Sequence, residues 1–484
     1  MTGVTGMTAG PVRLSPHPLQ RAGAFALARL AGVAHPSAIT EAQLAVTVAQ
    51  MTAHAVEAAR VRSASKDPDP GAYWWKMLYA CYPNAPETHG QRHKPRRDDG
   101  AKPLKQRVRE GRGLPDEPLD PLVPCVFCAA PAVRHVGKVE FPLLASVEHR
   151  NVTAPGVPGF PLCRGCLASG WAIPYASRHY GRLAVFDSSD EQIAAEFAAE
   201  AVDANRQMIE VQAKEPPARE RRGAEEVAVT LLRRHGSGAR AGPLPQDFVS
   251  LVLFRNGNQE PDLEVYFMNG RRCDFVCSLD GRQAVSQGWE AARRLLTVVD
   301  RKVDRKGGVT RHGLTVLARA LFHESDAKFL RLLTAAVRWS VRSGAPGTLD
   351  DLAIHYLRKV STVQDHEIAR ITAVAERVAR LLATESAKGA FHEFAQAQGP
   401  ADLRRWFRKR SVHWLLFGGQ DEPLLSPEEF LTLFPEDGGW WQRDLLFVAV
   451  VADLHARGWR PDGADLKALE VTDDEHASEQ EVYA

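Results

Sequence analysis

Cys125-Val126-Phe127-Cys128 and, 34 residues later, Cys163-Arg164-Gly165-Cys166 decide how this chain is to be read. Two Cys-x-x-Cys knuckles supply four thiolates, the donor set that closes a tetrahedral site for zinc. Such a site has no open coordination position. The zinc expected on Cys125, Cys128, Cys163 and Cys166 is therefore structural: it contributes folding energy and does not activate water. The gap exceeds the roughly 15 to 20 residues of a compact ribbon, so the knuckles enclose a loop. Seven cysteines in 484 residues is sparse and odd in number, which fits reduced thiols in a cytoplasm better than a disulfide framework. Cys81, after Tyr73-Trp74-Trp75, and Cys273 and Cys277, in a strand-like run with Phe275 and Val276, read as apolar packing residues.

Inside the gap lies Val147-Glu148-His149-Arg150-Asn151. HNH-type nucleases also place a catalytic histidine between two such knuckles, with the histidine as general base and a metal on the phosphate. They call for a further histidine or asparagine after the last cysteine, where this chain has Leu167, Ala168 and Ser169. A metal-dependent nuclease is thus one alternative reading, and a zinc-ribbon adaptor that binds nucleic acid is another.

Working outward, the N-terminal side is helical. A helix is expected over Pro18 to Leu30, behind Ser15, and Thr40-x-x-Gln43 forms a capping box ahead of Leu44, Val48, Met51 and Val56. Arg92 to Arg112 then carries nine cations (Arg92, Lys94, Arg96, Arg97, Lys102, Lys105, Arg107, Arg109, Arg112) against three acids, a net +6. It is expected to be a loop that lies against phosphates or a solvated linker. Beyond the knuckles, Leu183 to Asp187 reads as a strand and Ser189 to Gln212 as a helix. Phe248 to Phe254 and Leu263 to Met268 form a hairpin, with Asn256, Asn258 and Gln259 at its tip as candidate readers of base edges. After Arg301 the apolar period is that of helices, as in Phe329, Leu332, Leu333, Ala336 and Val337, and Ser426-Pro427-Glu428-Glu429 starts another. Arg404, Arg405 and Arg408, beside Trp406 and Trp414, form a basic, aromatic patch suited to single-stranded DNA.

The expected class is α+β and multidomain. Residues 1–124 form a helical region with a basic loop, 125–182 a four-cysteine zinc module, 183–300 a mixed region with a small antiparallel sheet, 301–460 a helical bundle and 461–484 an acidic segment. That last segment holds Asp462, Asp465, Glu470, Asp473, Asp474, Glu475, Glu479 and Glu481 against Lys467, so a chain of net charge +2 has a body of +9, which permits a polyanionic partner. With 44% hydrophobic and 25% charged residues the composition is globular, which excludes a disordered, collagenous or coiled-coil chain. The absence of an 18-residue apolar run argues against a membrane partner.

The order of elements, the four cysteines and Phe254-x-Asn256-Gly257-x-Gln259-x-Pro261 together resemble the CXXC-CXXC family of CRISPR-associated large subunits, found in type I-B and related Cascade complexes. The resemblance implies a non-enzymatic role beside the backbone, guide 5′-end and small subunits and the crRNA. Such a subunit reads a protospacer-adjacent motif in double-stranded DNA, supports R-loop formation and recruits a separate helicase-nuclease. Its helical bundle lines the displaced single strand. In this reading Lys94, Arg96, Arg97, Lys102, Lys105, Arg107 and Arg109 meet phosphates, and Arg404, Arg405 and Arg408 meet the displaced strand.

Overall fold

The computed structural model describes residues 10–94, 102–119, 123–145, 159–216, 223–237, 247–257, 261–297, 312–343, 349–384, 389–397, 399–417, 422–435 and 441–460. Among them are seventeen α-helices and two small antiparallel sheets, an α+β fold. The chain divides into two compact units, Met1–Leu232 with Pro245–Gly270, and Arg233–Leu244 with Arg271–Ala484.

In the first unit, α1 (Pro18–Ala31) is capped by His17, whose ring accepts from the Gln20 amide, while Ser15 donates to the Gln20 side chain one step earlier. The capping box of α2 (Glu41–Ala59) forms as expected between Thr40 and Gln43, and Leu44, Val48, Met51 and Val56 are all buried. The aromatic helix α3 (Ala72–Cys81) follows, and then α4 (Leu104–Gly111), a helix inside the stretch expected to be a loop. Its anchors are Val108, fully buried, and Arg112, whose guanidinium pairs with Glu87 at 2.5 Å in the core.

Strands β1 (Arg134–Val136) and β2 (Phe160–Leu162) pair antiparallel, and α5 (Arg164–Ala176) follows β2 directly. Helix α5 crosses α1 so closely that a Cβ on Gly23 would lie 2.1 Å from the Ser169 carbonyl oxygen, so only glycine fits that crossing. A four-stranded sheet runs in the order β3 (Arg178–Tyr180), β4 (Arg182–Ser188), β5 (Phe248–Arg255), β6 (Asp262–Asn269). Leu183 opposes Phe254 and Arg255 opposes Asp262, so the expected strand and hairpin are both present. Helix α6 (Glu191–Glu210), capped by Asp190, packs on α1, α5 and β4. Its buried Asn205 donates to the carbonyls of Pro174, Tyr175 and Ser177 at the end of α5. The knuckle cysteines share one buried apolar cluster with α1, α2, α3 and the sheet, so they sit in the core of this unit.

Helix α7 (Ala224–Gly236) spans the division between the units. The second unit is helical: α8 (Gly270–Cys277), α9 (Gln283–Leu295), α10 (Gly313–His323), α11 (Asp326–Ser343), α12 (Asp350–Lys359), α13 (Asp365–Thr384), α14 (Ala390–Gln396), α15 (Pro400–Phe417), α16 (Pro427–Leu433) and α17 (Trp441–Ala456). Helix α17 is its centre, buried over Leu445–Val451 and packed by α11, α12, α13 and α16. The helical unit reaches further towards the N-terminus than residue 301, because α9 packs with α10, α11 and α12. The expected boundary at residues 300 and 301 itself lies outside the described residues.

One local expectation is corrected. The Cys273–Cys277 run is helical, since the chain leaves β6 at Asn269 and turns at once into α8, although both cysteines are buried as expected. Among the described residues no helix is long and apolar enough to cross a membrane.

Candidate metal centre

The first knuckle is a tight turn. Cys125 donates its amide to the Ala130 carbonyl at 2.7 Å and accepts from the Ala129 amide at 2.9 Å. To close that turn Ala129 takes φ 59°, a left-handed conformation that costs a residue with a Cβ about 1–2 kcal/mol. The Val126 amide donates to the Pro161 carbonyl, and Arg134 opposes Leu162, so the β1–β2 ladder carries the second knuckle up to the first. Cys163 is the N-cap of α5, its sulfur accepting from the Cys166 amide at 3.4 Å. Gly165 lets the chain pass, for a Cβ there would lie 2.1 Å from the Pro11 carbonyl oxygen.

These turns gather the four Sγ atoms to within 4.8 Å of one another, with Cys128 and Cys163 at 3.4 Å. Cys125, Cys163 and Cys166 are buried and Cys128 is partly so. A tetrahedral ion with ligands at 2.3 Å needs sulfurs roughly 3.8 Å apart, so the thiols are spaced to take one ion with little movement. Crowded thiols share protons. Hydrogen bonds from Cys128, Cys163 and Cys166 pull Cys125 far below the ordinary thiol range, and bonds to Cys125 and then Cys128 push Cys163 and Cys166 far above it. Cys125, Cys128, Cys163 and Cys166 would hold a divalent cation in place of those shared protons, and the ion would offset half of the charge of four thiolates. Among the described residues this is the one cluster of three or more Cys, His, Asp or Glu able to hold a metal. His149, between the knuckles, lies outside the described residues.

An aromatic seam supports the site. The Phe127 ring, inside the first knuckle, lies 4.8 Å from His17 and 4.9 Å from Phe141. The metal turn is thereby tied to the N-terminus of α1.

The basic stretch separates into structural and exposed cations. Arg92 is buried over Trp75 and donates to the carbonyls of Ala59 and Val61, and Arg112 pairs with Glu87 over Tyr82. Arg107 donates to the Arg92 carbonyl and Lys102 pairs with Glu110 at 2.9 Å. Lys105 and Arg109, one turn apart on α4, line an open groove of about 680 Å³ against Ala45, Ala49 and Ala53 of α2. Lys94 is exposed, and Arg96 and Arg97 lie outside the described residues. No sequence motif marks the groove, because its floor is alanine; its trace in the sequence is the second small-residue face of α2.

At the hairpin tip Asn256 is a packing residue and not an exposed base reader. It is 2% exposed, donates to the carbonyls of Cys81 and Lys138, and accepts from the Leu143 amide. Asn258 and Gln259 lie outside the described residues. In α15, Arg404, Arg405 and Arg408 are exposed as expected, but Trp406 and Trp414 are core residues, and the Trp414 indole donates to the Glu422 carbonyl. Those rings cannot stack on bases.

No family model, curated protein or solved structure matches this chain.

Proposed function

We propose that this chain is the large subunit of a type I Cascade complex, built on a structural zinc held by Cys125, Cys128, Cys163 and Cys166. One observation carries the reading. The two stretches that bear the resemblance are more than 80 residues apart in sequence, yet Asn256 of the hairpin bonds to Lys138 and Leu143, in the segment that follows the first knuckle. The hairpin thus packs on the segment that the two knuckles enclose, which supports reading both stretches as parts of one scaffold.

Four thiolates favour zinc or an iron–sulfur cluster, and a closed site of turn-bound thiolates suits zinc. In this role zinc supplies rigidity, and the chain supplies binding: exposed cations meet phosphates, while guide pairing reads the target sequence. The chain itself cuts nothing.

Affinity purification of the tagged chain from its native cells tests the proposal. The expected result is co-purification of a discrete RNA joining repeat and spacer sequence, with backbone, guide-end and small subunits, in a particle that binds matching duplex DNA. Recovery of the intact chain without such an RNA overturns it.

A further inference from the structure

Helix α15 presents a stripe that the fold leaves open. Arg404, Arg405, Arg408, Val412, Leu415 and Leu416 recur three and four residues apart and so share one face, while Leu403, Trp406, Phe407, Arg410 and Trp414 turn inward. The N-terminal half of the stripe is cationic. The C-terminal half is apolar, with Val412, Leu415 and Leu416 exposed at 58%, 65% and 69%. Among the described residues Arg404 and Arg408 pair with no carboxylate: Arg404 lies over the rings of Phe430 and Phe434 of α16. A half-basic, half-apolar face of about 18 Å, from Arg404 to Leu416, fits an occupant that is acidic and carries a few leucines.

The sequence contains such a segment. Residues 461–484 hold eight acids against Lys467, with Leu466, Leu469 and Val471 among them. They also start in the right place. The described chain reaches Arg460 just after Trp459, whose ring lies 4.9 Å from Phe391 of α14. Two residues on, Glu393 of α14 pairs with Lys409 and Arg410 of α15. From that flank, 24 residues at up to about 3.3 Å each reach any point on the stripe.

We infer that residues 461–484 dock on the exposed face of α15, their carboxylates on Arg404, Arg405 and Arg408 and their leucines on Val412, Leu415 and Leu416. Single exposed ion pairs contribute little, whereas a tethered segment that combines several with apolar contacts benefits from a high effective concentration. The inference does not rest on the large-subunit reading. If that reading holds, the segment acts as a built-in polyanion that a nucleic-acid strand must displace from the stripe.

The test is residue-level footprinting of the full chain, with an arginine-selective dicarbonyl for Arg404, Arg405 and Arg408 and hydroxyl radicals for Leu415 and Leu416. The comparison is a full-length variant with all eight acids of 461–484 changed to their amides. Several-fold slower labelling of the stripe in the native chain is expected, released by the amide variant and by high salt, and independent of protein concentration. Arg109, on α4, serves as reference and should not respond. Equal stripe labelling in both proteins overturns the inference, as does a response at Arg109 in place of the stripe. Protection that grows with protein concentration also overturns it, since a second copy would then be the occupant.

Discussion

The side-chain amide of Asn256 donates to the Cys81 carbonyl across 2.6 Å, closing the end of α3 with a residue 175 positions further along the chain. The same amide group serves Lys138 at 2.8 Å. Neither carbonyl finds a replacement if it is removed, and a buried polar atom left unpaired costs about 1–3 kcal/mol. Asn256→Ala is therefore expected to lower unfolding free energy by roughly 2–4 kcal/mol in urea titrations. Asn256→Asp should do at least as much harm, because it turns a carboxylate towards two carbonyl oxygens. A loss below about 1 kcal/mol would show that water substitutes for the amide.

For the cysteine cluster, purified chain is expected to carry one zinc, measured by metal analysis and by release to a chromogenic chelator. Cys125→Ser or Cys163→Ser should abolish it. Because ligation energy is folding energy at such sites, a strong chelator should unfold the first unit cooperatively, seen as lost protection of α1 and α5 in hydrogen exchange. Protein without metal, with α1 and α5 fully protected in both variants, would contradict the assignment.

Close approach makes a sharper test of the α1–α5 crossing. Gly23→Ala forces a methyl group against the Ser169 carbonyl, which must move; overpacking of this kind costs about 1–3 kcal/mol. Gly90→Ala meets nothing within 4 Å and is expected to be neutral. The reverse change at the knuckle, Ala129→Gly, relieves a left-handed alanine and should raise stability by up to about 1 kcal/mol. Thermal melts of the three variants read all of this, and a Gly23→Ala melting point at the native value would mean that the helices slide apart freely.

The elements legible in the sequence are those specified by local chemistry. Thr40 with Gln43 and Ser426 with Glu429 form the capping boxes their spacing predicts, and the hairpin pairs Arg255 with Asp262 as the run lengths require. The four thiolates could be named because metal spacing is short-range. Burial was not legible for long polar side chains. Arg92 and Arg112 count as cations in any charge sum, but the fold uses them inside, one on carbonyls and one on Glu87. Trp406 and Trp414 alternate with arginines because helical period places aromatic and charged residues on opposite faces, which a linear patch conceals. Asn256 looks like a turn former until tertiary contacts give its amide three partners.

Burial also sets a pH dependence. Asp444 on α17 is raised from 3.8 to about 6 by desolvation, which the nearby Arg443, Arg331 and Arg338 only partly offset. A carboxyl with a raised folded pKa binds its proton more tightly when folded. Its ionisation therefore costs stability as pH rises through about 6, and stability returns as pH falls towards 3.8. The full effect is up to about 3 kcal/mol. Asp187 is pushed the same way beside Arg21, but it shares a unit with the four cysteines, and a metal held there would be lost in acid. Asp444→Asn is thus the cleaner probe. The native chain minus the variant should gain unfolding free energy between pH 7 and pH 5. A flat difference would mean that Asp444 keeps an ordinary value in the folded chain.

The two kinds of cation in the Arg92–Arg112 stretch should separate experimentally. Lys105 and Arg109 face an open groove and hold no other part of the fold. Changing both to glutamine is expected to leave melting unchanged, to weaken binding of a duplex or single-stranded oligonucleotide to the purified protein, and to reduce the salt slope by nearly one per lost phosphate contact. Arg112→Gln should do the reverse, for it strands Glu87, 1% exposed, without its partner. Breaking a buried pair from one side costs about 3–5 kcal/mol, so that variant should lose stability, or fail to fold, before any effect on binding can be read. Arg112→Gln with Glu87→Gln removes both charges and should recover much of the loss. An unchanged oligonucleotide affinity and salt slope for the Lys105/Arg109 variant would place the phosphate contacts elsewhere on the chain.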